Sequence, residues 1–86
     1  MQLNPIQLFD AESSTFTYIL AAPGAVDAAI IDPVDRHFER DLAHLERRGL
    51  RLTHVFETHA HADHVTAAGR LRAHTGAKAC APGGCG

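Results

Sequence analysis

The chain has 86 residues, 45% hydrophobic and 21% charged, with eight Lys and Arg against ten Asp and Glu for a formal net charge of −2. That balance belongs to a globular chain with room for one small domain or part of a larger one, and so short a chain builds only a modest core. Basic and acidic residues are interleaved without a basic stripe or basic-aromatic patch, which excludes the usual nucleic-acid footprint, and nothing suggests a membrane partner.

The opening Met1-Gln2-Leu3-Asn4-Pro5 has no basic start, no long apolar run and no Arg enrichment, so a soluble cytoplasmic location is the expectation. Ile6 to Phe9 and Phe16 to Ala22 read as strands separated by the polar turn Asp10-Ala11-Glu12-Ser13-Ser14. Tyr18, the single tyrosine, is expected to pack in the sheet. Ala28 to Ile31 is a third short strand, stopped at Asp32-Pro33 because proline lacks an amide hydrogen and pushes the residue before it toward extended geometry.

Asp35 is placed to cap a helix from about Arg36 to Arg48, in which Phe38, Leu42 and Leu45 form one apolar stripe. Gly49 closes it as a left-handed cap. The rest of that helix, Arg36, Glu39, Arg40, Asp41, Glu46 and Arg47, reads as a solvated face. Leu52-Thr53-His54-Val55-Phe56-Glu57 is the next strand, and Asp63 to Thr75 the second helix, ending at Gly76. Its stripe of Val65, Ala68 and Leu71 is narrow, and Gly69 within it costs roughly 1 kcal/mol relative to alanine, a cost that close packing would justify.

Two cysteines, Cys80 and Cys85, are too few for a disulfide framework, and their spacing does not match zinc knuckles. Cys80 reads as a buried strand residue and Cys85 as a loop residue, and no nearby basic group suggests an activated thiol.

The chemistry concentrates in His59-Ala60-His61-Ala62-Asp63-His64, three imidazoles and a carboxylate within six residues, at the carboxyl edge of a strand where α/β folds tend to place ligands. In an extended segment His59, His61 and Asp63 point the same way, and the alanine spacers leave room for a common ion. Closing so short a loop needs a rigid scaffold. The plain alternative has one histidine capping a helix, one facing solvent and Asp63 bonding backbone amides as an N-cap; capping and metal-site membership need not exclude each other for Asp63. His37, His44, His54 and His74 lie on or beside other elements and are not expected as ligands.

The string Thr58-His59-Ala60-His61-Ala62-Asp63-His64 resembles the H-x-H-x-D-H signature of the metallo-β-lactamase superfamily, an αββα sandwich of hydrolases and oxidoreductases. Glu12-Ser13-Ser14-Thr15-Phe16-Thr17-Tyr18, Ile31-Asp32-Pro33-Val34 and Glu57 to Thr66 bring it nearer to the persulfide dioxygenases, also called sulfur dioxygenases or the ethylmalonic encephalopathy protein family. The resemblance implies an α/β chain forming the N-terminal portion of such a sandwich, residues 1–86 being part of a single domain truncated at its C-terminal end. Further ligands of the family, another histidine and an aspartate among them, come from strands beyond the signature.

It also implies one Fe(II) per chain, held by two histidines and a carboxylate with positions left open, a set suited to oxygen activation. His59 is then a ligand, while His61, Asp63 and His64 orient or hydrogen-bond the site. The implied reaction oxidises glutathione persulfide with dioxygen to sulfite and glutathione in hydrogen sulfide catabolism. The alternative is a glyoxalase II-type hydrolase of a glutathione thiolester with a binuclear Zn(II) centre, His59 and His61 on one ion and Asp63 and His64 on the other. A third reading is a catalytically silent metal-binding fragment, and homo-oligomerisation stays open. The candidate metal residues are thus His59, His61, Asp63 and His64, with Asp63 also the candidate catalytic group. Asp32 either orients the metal loop, as the resemblance suggests, or serves plain turn chemistry, and Thr58 and Thr66 either brace the loop through their hydroxyls or make local backbone bonds.

Overall fold

Alternation of buried and open residues sets the first strands: Thr17 and Ile19 are buried while Phe16 lies exposed between solvent and its neighbours. The computed structural model describes residues 5–58, 68–81 and 84–85. They form β1 (Ile6–Asp10), β2 (Thr15–Leu20), β3 (Asp27–Ile31), a 3₁₀ turn (Asp35–His37), α1 (Phe38–Arg47), β4 (Arg51–Phe56), α2 (Ala68–Thr75), β5 (Lys78–Ala81) and β6 (Gly84–Cys85). The strands make one sheet in the order β1-β2-β3-β4-β5-β6. The β3–β4 and β4–β5 pairs are parallel and the others antiparallel. Parallel neighbours need a crossover, and α1 and α2 supply the two.

A bulge steers β4. Ala28 pairs with Leu52 but Ala29 pairs with His54, leaving Thr53 outside the ladder with its hydroxyl donating to the Ala28 carbonyl at 3.1 Å. Strict alternation would bury Leu52 and His54; the extra residue instead buries Leu52 and Val55 and turns His54 and Phe56 to the other face, stacked at 5.7 Å. The core lies between the sheet and both helices: Ile19, Ala28, Ile30, Leu52 and Val55 meet Leu45 of α1 and Ala68 and Leu71 of α2. On the opposite face Tyr18, Ile31 and Phe56 fall in register across three strands. Among the described residues no helix is long and apolar enough to cross a membrane.

Several expectations meet corrections. Asp35 caps nothing: it lies inside the 3₁₀ turn, the residues preceding that turn and α1 are Val34 and His37, and neither makes a side-chain cap bond. Its carboxylate serves Arg70 of α2 instead. Asp41 is not solvated but fully buried, because it lies four residues before Leu45 on the inward stripe. Burial pushes its carboxyl above the ordinary range, with Arg40 at 3.1 Å opposing that shift. Asp32 is not extended before its proline but has φ +53°. Cys85 belongs to β6 and pairs in register with Cys80, and Cys80 is disulfide-bonded.

Gly49 does end α1 with φ +64°, its amide on Glu46 and the Leu50 amide on the Leu45 carbonyl at 2.9 Å. Among the described residues Gly69 has no packing reason: a Cβ there would meet none of their atoms within 4 Å. Gly69→Ala should therefore raise stability by about 0.5–1 kcal/mol and the melting midpoint by several degrees, read by thermal or urea unfolding. A neutral or destabilising effect would show that this turn of α2 packs differently.

Candidate metal centre

Three chain segments converge at one edge of the sheet: the hairpin between β1 and β2, the carboxyl end of β3 and the carboxyl end of β4. Asp32 joins the last two. Its amide donates to the Phe56 carbonyl at 2.8 Å, continuing the parallel pairing by one bond. Its carboxylate accepts the Thr58 amide at 2.8 Å and the Thr58 hydroxyl at 2.5 Å. Its carbonyl accepts the buried Thr17 hydroxyl of β2 at 2.8 Å. The positive φ turns Asp32 out of the ladder, and aspartate tolerates this region better than most residues. Asp32 thus does more than end its strand: it holds Thr58, the last described residue before the signature, by both backbone and side chain.

His59, His61, Asp63 and His64 lie outside the described residues, as do Val65, Thr66 and the expected N-terminal turn of the second helix. The structure describes the two flanks of that segment. Upstream, Thr58 hangs on Asp32. Downstream, α2 begins with buried Ala68, and Arg70 sits 4.2 Å from the Phe38 ring centroid with its guanidinium 3.3 Å from the Asp35 carboxylate. Both flanks are therefore held by the stretch 32–38 that links β3 to α1. Imidazole and carboxylate donors at such spacing suit iron or zinc, so the chemistry of the donor set fits a metal. Among the described residues no group of three or more His, Cys, Asp or Glu could hold one.

The four other described histidines have partners of their own. His37 pairs its Nε2 with Asp10 at 2.9 Å. His44 lies near Arg48; burial first, then that guanidinium, pushes its imidazole below the ordinary value. His54 stacks on Phe56 and His74 stands edge-on to Phe38 at 5.9 Å.

Sequence reasoning missed Asp10. This carboxylate is 3% exposed and accepts the Ser13 hydroxyl at 2.5 Å and the Ser13 amide at 3.0 Å, with Arg36 at 3.1 Å beside it. Arg36 also pairs with Glu12. The hairpin turn is thus tied to the 3₁₀ turn through one buried acid. A signal existed, since Asp10 begins an Asp-x-x-Ser turn in which the side chain bonds the backbone three residues on.

Residues 12–83 match the metallo-beta-lactamase superfamily. The chain belongs to that superfamily. It is similar to the human mitochondrial persulfide dioxygenase ETHE1, 44% identical over 66 residues that are 77% of this chain and 26% of that protein. The crystal structure of ETHE1 from Myxococcus xanthus superposes with a TM-score of 0.81 at 48% identity, over 93% of this chain and 35% of that one. A hydroxyacylglutathione hydrolase of Nitrosococcus oceani is 40% identical over 60 residues, 69% of this chain and 22% of the relative. The chain therefore spans about a quarter of the length of the curated relatives it matches. As the αββα sandwich requires, its helices cover one face of the sheet and its other face carries apolar residues in register.

The Asp10 network makes a pH prediction. The Ser13 hydroxyl, then the Ser13 amide, His37 and Arg36, hold the Asp10 carboxyl well below its ordinary 3.8, against the opposing effect of burial. A lowered folded-state value gives stability that is present above the unfolded value and is lost as pH falls through the folded one. Asp10→Asn should lower the melting midpoint by several degrees at pH 7, and the gap to the parent should narrow as pH falls below 4. A gap independent of pH would mean that the charge of Asp10 contributes nothing.

Proposed function

We propose that this chain carries the signature half of the metal centre of a persulfide dioxygenase that oxidises glutathione persulfide. The similarity to two ETHE1 proteins supports it, above all the M. xanthus structure at 48% identity over 93% of this chain. His59 would hold Fe(II), with His61, Asp63 and His64 orienting the site around it. When bound, the ion would bring dioxygen and the persulfide sulfur together and mediate electron flow between them.

The reaction balances as glutathione persulfide, dioxygen and water giving glutathione, sulfite and two protons. Four electrons pass from sulfur to dioxygen, and the sulfur–sulfur bond breaks with glutathione leaving as the thiol. The part this chain plays is geometric. Asp32 fixes the amide and hydroxyl of the residue before His59, which supports a rigid starting point for the signature. Asp35 and Phe38 hold the downstream flank through Arg70.

The hydroxyacylglutathione hydrolase relative favours a second reading, hydrolysis of a glutathione thiolester at two Zn(II) ions held by His59 and His61 and by Asp63 and His64. Metal analysis of anaerobically purified chain, run beside oxygen uptake with glutathione persulfide and hydrolysis of S-lactoylglutathione, separates the readings. About one iron with oxygen uptake is the expected result. Two zinc ions with thiolester hydrolysis would replace the first reading by the second, and metal with neither activity would leave a metal-binding fragment.

Asp32→Asn keeps an acceptor and tolerates φ +53° but gives up one of the two carboxylate oxygens. Metal affinity should fall roughly 10-fold or more, the usual effect of removing a hydrogen bond behind a ligand, with the fold retained by circular dichroism. Unchanged affinity would remove Asp32 from any role at the centre.

A further inference from the structure

Thr17 is 1% exposed in the layer of β2 that faces the helices, next to Ile19. Packing alone asks there for a β-branched residue, and valine would fill the same volume. What the hydroxyl adds is one donor, and it goes to the Asp32 carbonyl at 2.8 Å. The place of that bond in the sheet is informative. Leu20, Ile19 and Tyr18 pair in register with Ala29, Ile30 and Ile31, so one further step would set Thr17 opposite Asp32. The ladder stops there because Asp32 turns to φ +53°. The Thr17 side chain then takes the carbonyl that has left the ladder, while the carboxylate of the same residue reaches across to Thr58.

We propose that Thr17 is a positioning residue for the metal segment: its buried hydroxyl fixes the Asp32 peptide so that the Asp32 carboxylate stays on Thr58, the residue immediately before His59. The claim rests on the metal reading of residues 59–64 only for its functional consequence. The mechanical link from Thr17 through Asp32 to Thr58 is a matter of hydrogen bonds alone. Without the hydroxyl the Asp32 carbonyl loses the bond that opposes rotation toward extended geometry, the conformation that a following proline favours. That rotation would swing the carboxylate away from the Thr58 amide.

The test compares the parent chain with Thr17→Val and Thr17→Ser by two readouts. The first is amide hydrogen exchange at Thr58, followed by NMR without metal and normalised to Ile30 in the strand interior. The second is Co(II) affinity, from its visible absorption bands. Thr17→Val should speed Thr58 exchange relative to Ile30 by about tenfold and weaken Co(II) by roughly tenfold, as loss of a supporting hydrogen bond does. Thr17→Ser, which keeps the donor and loses only a methyl group, should restore both.

Thr58 exchange that is unchanged in Thr17→Val, or equally fast in both variants, would overturn the proposal. So would a Co(II) affinity that follows overall stability and is not rescued by serine. If Thr17→Val does not fold, Thr17→Ser and Thr17→Ala, which differ by the hydroxyl alone, make the same comparison with the same criteria. Failure of the parent chain to bind Co(II) would count against the metal reading, and Thr58 exchange would still decide whether Thr17 holds the clasp.

Discussion

The structure turns on the conformation of Asp32. At φ +53° this residue ends β3, releases its carbonyl to β2, keeps its amide on β4 and places its carboxylate on Thr58. Three strands are thereby locked at the edge where the histidine-rich segment departs. A residue of this kind holds a costly conformation, on the order of 1–3 kcal/mol, only where its surroundings over-determine it. Among the described residues they do so through four hydrogen bonds, and what these fix is Thr58, the residue before the segment that carries four potential ligands.

The supporting core is small. Ile19, Ile30, Leu52, Val55, Leu45 and Leu71 form its centre. Each contributes roughly 1.5–3 kcal/mol by burial, most of which offsets chain entropy. Against so modest a core, the two buried acids matter. Asp10 is held ionised by donors from Ser13 and by Arg36, so it stabilises the hairpin at neutral pH. Asp41 is driven the other way: one of its carboxylate oxygens and one Arg40 nitrogen are buried without a hydrogen-bond partner among the described residues. The first acid stands at the strand-end edge that carries Asp32 and Thr58, and the second inside α1. Order at that edge therefore draws on charge as well as on apolar burial.

The elements were legible because their signals are local. The hydrophobic period of Phe38, Leu42 and Leu45, the glycine after Arg48 and the β-branched run in β4 each act within a few residues. What escaped depends on partners distant in sequence. Asp35 looked like a cap because nothing near it revealed Arg70 as its partner. The bulge at Thr53 breaks the alternation on which strand faces are read, and only pairing with Ala28 and Ala29 exposes it. Asp41 was misread for a different reason. Its spacing from Leu45 places it on the inward stripe, while its charge points the other way. The histidine-rich segment stands out in the sequence, whereas the Thr17–Asp32–Thr58 clasp does not, since its bonds span 15 and 26 residues.

The same sheet edge also joins Thr58 to the face away from the helices. Phe56 lies in register with Ile31 and Tyr18 on that face and is two residues from Thr58. Its carbonyl accepts the Asp32 amide, so its backbone belongs to the clasp while its ring, 39% exposed and stacked on His54, belongs to the open face. In an αββα sandwich that face is the one that meets the second sheet. Packing against it would press on Phe56 and His54, and through the Phe56 carbonyl would stiffen Asp32 and the residue that leads into His59. A second layer on that face would thus act on the Thr17–Asp32–Thr58 clasp through a strand end only a few residues long.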